Sequence, residues 1–204
     1  KLKKIVKKLL GGIEYLQKSF KEGSIIREGI NTVIIGKPNA GKSSILNLLS
    51  RTDRAIVTDI AGTTRDTLTE NIKLSGISLN ITDTAGIRAT DDVVESIGVK
   101  KAIEASNNAD LNLVVIDGLL PLDSEDISLF ESAKDKQAII LINKSDKELK
   151  VSVDDIRKYS DKDVIIFSAK ENTGLDELEN MIKSKFISNE INFNDQIIIT
   201  NIRH

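Results

Sequence analysis

The sequence predicts an α/β fold: a doubly wound, mostly parallel six-stranded sheet with an added N-terminal helix. Short apolar segments alternate with segments of helical periodicity, which is typical of such folds. Several apolar segments are continuous runs, as expected for strands buried on both faces of a sheet. Two of them are joined only by Ser75-Gly76, which leaves no room for a crossover helix and predicts an antiparallel hairpin.

The individual elements follow from their hydrophobic periodicity. Residues 1–28 are predicted to be helical because their apolar residues recur at three- and four-residue steps. The predicted strands are Thr32–Ile35, Thr67–Leu74, Ile77–Thr82, Leu111–Ile116, Ala138–Ile142 and Val164–Phe167. The predicted helices after residue 28 are Lys42–Leu49, Val93–Ala105, Ser124–Lys134, Ser152–Tyr159 and Leu175–Phe186.

These patterns divide the chain into three parts. Residues 1–28 form a helical segment that we expect to flank another domain, and residues 29–188 form the α/β domain. Residues 189–204 look like a linker or the start of a truncated helical segment. The first residue is Lys1 and not Met, so we expect the natural N-terminus to lie upstream.

Composition excludes several classes of function. The chain has no cysteine, which excludes disulfide scaffolds, zinc–thiolate sites and cysteine nucleophiles. Its one histidine is the terminal His204, so a histidine-based catalytic triad is not expected. A net charge of −2 argues against electrostatic binding of nucleic acid by the protein surface as a whole. No apolar run reaches membrane-spanning length, and we expect a cytoplasmic protein without membrane contact.

Residues 36–43, GKPNAGKS, match the phosphate-binding pattern G-x-x-x-x-G-K-[ST] without departure. The pattern follows a predicted strand and opens a predicted helix, which is the context that a P-loop requires. We therefore expect a P-loop NTPase of Ras-like architecture. Lys42 is predicted to reach the β- and γ-phosphates and to act in catalysis, and Ser43 is predicted to bind Mg²⁺. The predicted nucleotide-binding residues of this segment are Asn39, Ala40, Gly41, Lys42, Ser43 and Ser44.

Two further segments predict the remainder of a triphosphate site. Asp83 ends a predicted strand, where its carboxylate can hold Mg²⁺ through water, and the backbone N–H of Gly86 can contact the γ-phosphate. The connection at residues 51–66 is long and lacks clear periodicity, and it ends in GTTRD. A threonine there can complete the Mg²⁺ shell, but chemistry alone does not choose between Thr63 and Thr64.

The segment Asn143-Lys144-Ser145-Asp146 follows a predicted strand and indicates guanine as the base. The Asp146 carboxylate can accept both donors on the edge of guanine, whereas adenine offers no such pair. The Lys144 stem can cover one face of the base, and Asn143 can tie this loop to the P-loop. Backbone amides of the later segment Ser168-Ala169-Lys170 can contact the guanine oxygen.

These motifs, in this order, resemble those of the translation-factor-related GTPases. Residues 55–66, together with Asp83–Arg88 and Asp92–Gly98, resemble the G domain of the MnmE (TrmE) family of tRNA-modification GTPases. The resemblance covers about residues 28–188, and the flanking segments resemble parts of the helical domain of that family. It implies a fragment that lacks the folate-binding domain, most of the helical domain and the C-terminal cysteine motif.

The resemblance also implies site residues that the chemistry leaves open. It implies that Thr64 is the magnesium threonine and that Glu95 positions the attacking water. It implies a K⁺ beside the phosphates, with ligands at Asn39, Thr58, Ile60 and Thr63. From the residues alone, Asn39 can equally serve only to shape the loop, and Glu95 can be a solvated carboxylate at a helix start.

The function implied by the resemblance is Mg²⁺- and K⁺-dependent GTP hydrolysis, activated by dimerisation of G domains. The full-length protein would modify wobble uridine in certain tRNAs together with a flavin-containing partner protein. One alternative is a ribosome-assembly GTPase of the Era or Der type, which would carry an appended RNA-binding domain. Another is a nucleotide-gated interaction module with negligible turnover of its own.

Overall fold

A computed structural model of the chain describes residues 3, 6, 9–13, 23–25, 27–52, 69–82 and 106–187. The strands among these residues are β1 (Ile30–Gly36), β2 (Thr69–Leu74), β3 (Ile77–Thr82), β4 (Leu111–Asp117), β5 (Ala138–Asn143) and β6 (Asp163–Ile166). They form one sheet in the order β2-β3-β1-β4-β5-β6. All neighbouring strands are parallel except β2 and β3, which confirms the predicted six-stranded, mostly parallel sheet.

Helices connect most of the strands. Those with defined ends in the described residues are α1 (Lys42–Thr52), α2 (Ser124–Ser132), α3 (Val153–Arg157) and α4 (Leu175–Phe186). The described residues of the N-terminal segment are helical at positions 3, 6, 9–13, 23–25 and 27–28, as predicted. The predicted helix Val93–Ala105 lies outside the described residues. None of the described helices combines the length and the apolar character needed to cross a membrane.

α3 is shorter than the predicted helix Ser152–Tyr159. Its first residue is Val153 because Ser152 is the N-cap and accepts a hydrogen bond from the backbone of Asp155. The Asp155 side chain accepts one in return from the backbone of Ser152, which completes a capping box. Periodicity alone had included this cap in the helix, and such boundary errors of one or two residues are usual.

The turn between β2 and β3 explains the antiparallel pair. Ser75 and Gly76 both have positive φ, at 49° and 87°. Two central residues of positive φ make a turn whose twist matches that of the flanking strands. Leu74 pairs directly with Ile77, so the turn has two residues, as predicted.

The sheet has a hydrophobic core on each face. Ile30, Ile34 and Leu113 lie in one cluster, with buried residues of α1 and α4. Val33 and Val114 lie in the other cluster, with Phe130 of α2 and Ile156 of α3. All seven residues of β4 are buried, which confirms the prediction that its apolar run is a strand covered on both faces. Helices on both faces are the mark of a doubly wound fold.

Burial in the central strand predicts a large cost for removing side-chain volume there. Replacing the fully buried Leu113 by alanine should lower the free energy of unfolding by about 3 kcal/mol, since it removes apolar contacts and leaves a cavity. Leu120, which is 50% exposed, provides the matched Leu→Ala control and should change stability by less than about 0.5 kcal/mol. Urea unfolding measures both, and equal losses would contradict the assignment of β4 to the core.

Candidate nucleotide-binding site

The candidate site lies at the edge of the sheet where the parallel strands end. β1 leads into the P-loop, β5 leads into the loop 143–147, and β6 leads into the loop 167–170. Residues from all three loops line one open cleft of about 1230 Å³. In open α/β sheets, ligands bind outside the carboxyl ends of the strands, so this cleft is where a ligand is expected.

The backbone of the P-loop curls at two residues of positive φ. Asn39 has φ 60° and Gly41 has φ 103°, while Ala40 between them is fully buried. α1 begins directly after Gly41, so the first amides of this helix and the positive end of its dipole face the cleft. The positive φ of Asn39 is direct support for its loop-shaping role, since asparagine adopts this conformation more readily than most residues.

Lys42 lies across the P-loop. Its Nζ donates hydrogen bonds to the carbonyl oxygens of Gly36 and Lys37, each at 2.7 Å. These two contacts hold the ammonium at the mouth of the loop. Ser43 and Ser44 are exposed and line the cleft beside it. An ammonium and two hydroxyls at the start of a helix are groups that can bind phosphate oxygens.

Asn143 joins the three loops. Its side chain is buried, and its Nδ2 donates to the carbonyl oxygen of Ala40 at 2.9 Å. Its Oδ1 accepts a hydrogen bond from the backbone N of Ala169 at 3.1 Å. The sequence-based hypothesis that Asn143 ties its loop to the P-loop is therefore correct. A Cβ at position 41 would overlap the Asn143 amide, so this link requires Gly41.

Asp146 presents a fixed carboxylate to the cleft. Ser168 Oγ donates to Asp146 Oδ1 at 2.9 Å, and Lys170 Nζ lies 3.8 Å from Oδ2. The hydrogen bond from Ser168 is the main reason that the pKa of Asp146 lies below its usual value, and Lys170 adds to the effect. The group is therefore ionised at neutral pH and can only accept hydrogen bonds. The sequence analysis assigned Ser168 a backbone role and missed this side-chain contact.

Lys144 is held by a partner that the sequence analysis did not identify. Its Nζ lies 2.6 Å from Asp117 Oδ2, and its backbone has φ 70°. Asp117 is the last residue of β4, and its other oxygen accepts a hydrogen bond from the backbone N of Leu119. Asp117 ends a buried strand and lies beside Asn143 at the end of β5. This position at the end of a predicted strand is the sequence feature that could have identified it as a site residue. The contact fixes the lysine stem along the side of the cleft.

The other predicted site residues are Thr58, Ile60, Thr63, Thr64, Asp83, Gly86 and Glu95, and all of them lie outside the described residues. Their assignments stay predictions. Within the described ranges, no group of three or more acidic or histidine side chains could hold a metal. Ser43 and Asn39 do offer oxygen donors in the cleft, which is the ligand type that Mg²⁺ and K⁺ prefer.

A P-loop and an aspartate-bearing base loop on a doubly wound sheet define the class of this protein, a P-loop GTPase. The chain belongs to the family described as "50S ribosome-binding GTPase", whose family model matches residues 31–144. The match identifies a GTPase domain in this part of the chain.

Within that family, the chain is similar to proteins named tRNA modification GTPase MnmE. It is 46% identical over 199 residues to the protein of Lachnoclostridium phytofermentans, covering 96% of this chain and 43% of that protein. It is 47% identical over 204 residues to the Clostridioides difficile protein, covering 100% of this chain and 43% of that protein. It is 50% identical over 188 residues to the Acetivibrio thermocellus protein, covering 92% and 41%. The chain thus spans less than half the length of these relatives, and the predicted resemblance is confirmed.

Solved structures show the same fold. A single-residue variant of Aquifex aeolicus Era, bound to GDP·AlF₄⁻, is 28% identical with a TM-score of 0.58, covering 85% of this chain and 62% of that chain. The cytosolic domain of the T. maritima FeoB iron transporter in a GDP form is 24% identical with a TM-score of 0.58, covering 79% and 65%. The second likeness supports the fold alone.

The tight contact between Gly41 and Asn143 predicts that Gly41→Ala weakens GDP binding by at least about tenfold, because the P-loop must move away from the base loop. Gly76→Ala is the matched control, since Gly76 also has positive φ but nothing lies within 4 Å of its added Cβ. The control should lose roughly 1 kcal/mol of stability and none of its GDP affinity. Calorimetric titration with GDP measures both variants, and equal affinities would contradict the proposed link.

Proposed function

We propose that the chain is the G domain of a GTPase that acts in the modification of wobble uridine in tRNA. The observation that carries this proposal is the identity of 46–50% over 92–100% of the chain to relatives named tRNA modification GTPase MnmE. In this proposal, residues 29–188 are the catalytic unit. Residues 1–28 and 189–204 belong to a flanking helical domain of a longer protein.

The base loop supports guanine as the base. Asp146 is ionised and held by Ser168, so its carboxylate is ready to accept the N1–H and the exocyclic amine of guanine. Adenine offers no such pair of donors to the carboxylate, so it would not gain the binding free energy of these two hydrogen bonds. The backbone N of Ser168 bonds to the Thr173 carbonyl oxygen and that of Ala169 bonds to Asn143. The backbone N–H of Lys170 is therefore the proposed contact for the guanine oxygen.

The P-loop supports the proposed binding of the phosphates and their cations. Lys42 and the amides at the start of α1 would contact the β- and γ-phosphates. Ser43 would hold Mg²⁺ together with Thr64 and Asp83, and Asn39 would hold K⁺ with the carbonyl or hydroxyl oxygens of Thr58, Ile60 and Thr63. A cation placed there neutralises the charge that develops between the β- and γ-phosphates during hydrolysis.

The proposed roles in hydrolysis fall to two residues that follow β3. Glu95 would position the attacking water, and the Gly86 N–H would contact the γ-phosphate. No glutamine stands just after Asp83, where many GTPases place the residue that orients this water. A carboxylate further along the chain can replace it by accepting a hydrogen bond from the water or from a bridging water.

The proposed partners belong to the full-length context. They are a second copy of the G domain, a flavin-containing tRNA-modification protein and tRNA itself, and the proposed location is the cytoplasm. An Era-type ribosome-assembly function has support from the structural likeness to Era at 28% identity. The higher identity to the tRNA-modification relatives favours the first proposal. A nucleotide-gated interaction module is the third candidate, and it differs from the first two in its lack of turnover.

GTP turnover in KCl and in NaCl of equal ionic strength tests the proposed mechanism. We expect turnover at least about tenfold faster in KCl, because K⁺ stabilises the transition-state charge. We also expect the specific rate to rise with protein concentration, because dimerisation completes the site. Glu95→Ala should lose this turnover and keep its GDP affinity. Equal, slow turnover in both salts would contradict the potassium mechanism and favour the interaction module.

A further inference from the structure

The side chain of Lys37, inside the P-loop, is held by two carboxylates from a distant part of the chain. Its Nζ lies 2.6 Å from Asp123 Oδ2 and 2.8 Å from Asp126 Oδ2. Both aspartates lie at the start of α2, 86 and 89 residues further along the chain. The Lys37 side chain is 13% exposed and that of Asp126 only 2%. We call these three residues the lysine clamp.

The backbone of α2 fixes the two carboxylates of the lysine clamp before they meet the lysine. Asp123 is the N-cap, and its Oδ1 accepts hydrogen bonds from the backbone N of Glu125 and of Asp126. Asp126 Oδ2 accepts one in return from the backbone N of Asp123 at 3.2 Å. This reciprocal capping box leaves each aspartate with one orientation. The lysine therefore binds to a rigid, preorganised pair of acceptors.

Stability alone gives a poor account of the lysine clamp. Burial works against the charge on Lys37, but the hydrogen bonds to Asp123 and Asp126 outweigh it, so the pKa of Lys37 lies above its usual value. The hydrogen bond from Lys37 likewise lowers the pKa of Asp123. Asp126 Oδ1 is buried and has no hydrogen-bond partner among the described residues. A buried ion pair with an unsatisfied oxygen contributes little net stability, and such groups concentrate at functional sites.

The lysine clamp is connected to the Lys42 ammonium through the backbone of Lys37. The carbonyl oxygen of Lys37 accepts a hydrogen bond from Lys42 Nζ at 2.7 Å, as does that of the preceding Gly36. The side chain of Lys37 thus fixes the residue whose backbone oxygen holds Lys42. Lys37 also directly precedes Pro38 and Asn39, which form the exposed arm of the loop.

We propose that Lys37 is a positioning residue for nucleotide binding, and that the lysine clamp fixes the first arm of the P-loop so that Lys42 and the loop amides face the phosphates. The contacts run from Asp123 and Asp126 to the Lys37 ammonium, then from the Lys37 carbonyl to Lys42. Without the clamp, the first arm of the P-loop is more mobile in the free protein. Nucleotide binding must then order this arm, and the entropy cost of ordering lowers the affinity for nucleotide. This inference rests on nucleotide binding at the P-loop and is independent of K⁺, dimerisation and tRNA.

Calorimetric titration of GDP with Mg²⁺ tests the lysine clamp, with urea unfolding measured in parallel. We expect Lys37→Gln to weaken GDP binding by about tenfold and Lys37→Arg to restore affinity to within about threefold, since a guanidinium also suits two carboxylates. Lys185→Gln is the matched control. Lys185 is 20% exposed and lies 2.5 Å from Asp163, which begins β6 at the edge of the sheet opposite the P-loop. The control therefore removes a part-buried lysine–carboxylate pair away from the cleft. Its GDP affinity should equal that of the wild type.

Each outcome decides the proposal. A Lys37→Gln variant that is less stable but binds GDP like the wild type would overturn it, because the clamp would then be structural only. If Lys37→Gln does not fold, Asp123→Asn replaces it, since Asp123 is 52% exposed and Asp126 keeps its contact with Lys37. That variant should still weaken GDP binding, and unchanged affinity would overturn the proposal. A wild-type chain that binds no GDP would overturn the nucleotide site and this inference together.

Discussion

The site depends on one buried amide, the side chain of Asn143. It donates to the P-loop at Ala40 and accepts from the third loop at Ala169, so one side chain joins loops that follow three different strands. Both of its polar ends are used, and replacing them would leave buried backbone groups without partners. The spacing between the phosphate-binding and base-binding loops is therefore set inside the protein. Because the two loops hold this spacing before a nucleotide binds, binding does not have to order them, and its entropy cost is lower.

Much of the fold was predictable because it depends on local patterns. Continuous apolar runs identified the buried strands, and the two-residue turn identified the antiparallel pair. The strands and the P-loop together placed the cleft, because parallel strands end at one edge of the sheet. The errors were small and had local causes. The N-cap Ser152 was counted as helix, and β6 begins at Asp163, one residue before the predicted start.

The missed parts of the site are long-range charge contacts. The pairing of Lys144 with Asp117 joins residues 27 positions apart, and that of Lys37 with Asp126 joins residues 89 positions apart. No local pattern indicates such pairs, because each depends on the order of strands in the sheet and on where α2 begins. Ser168 is a further case, since its hydroxyl contact with Asp146 requires β5 and β6 to be neighbours. The sequence identified the loops that line the cleft, and the structure adds the side chains that hold those loops in place.

The central claim is that the Asp146 carboxylate, held in place by Ser168, would select guanine by accepting hydrogen bonds from the edge of the base. The most direct test measures the affinities of the wild type and of Asp146→Asn for GDP and for xanthosine diphosphate. An amide can accept from the base N1–H and donate to the extra carbonyl of xanthine, whereas a carboxylate can only accept. The account predicts that the wild type prefers GDP and the variant prefers xanthosine diphosphate, with the GDP affinity of the variant reduced about a hundredfold. An unchanged preference for GDP in the variant would contradict the account.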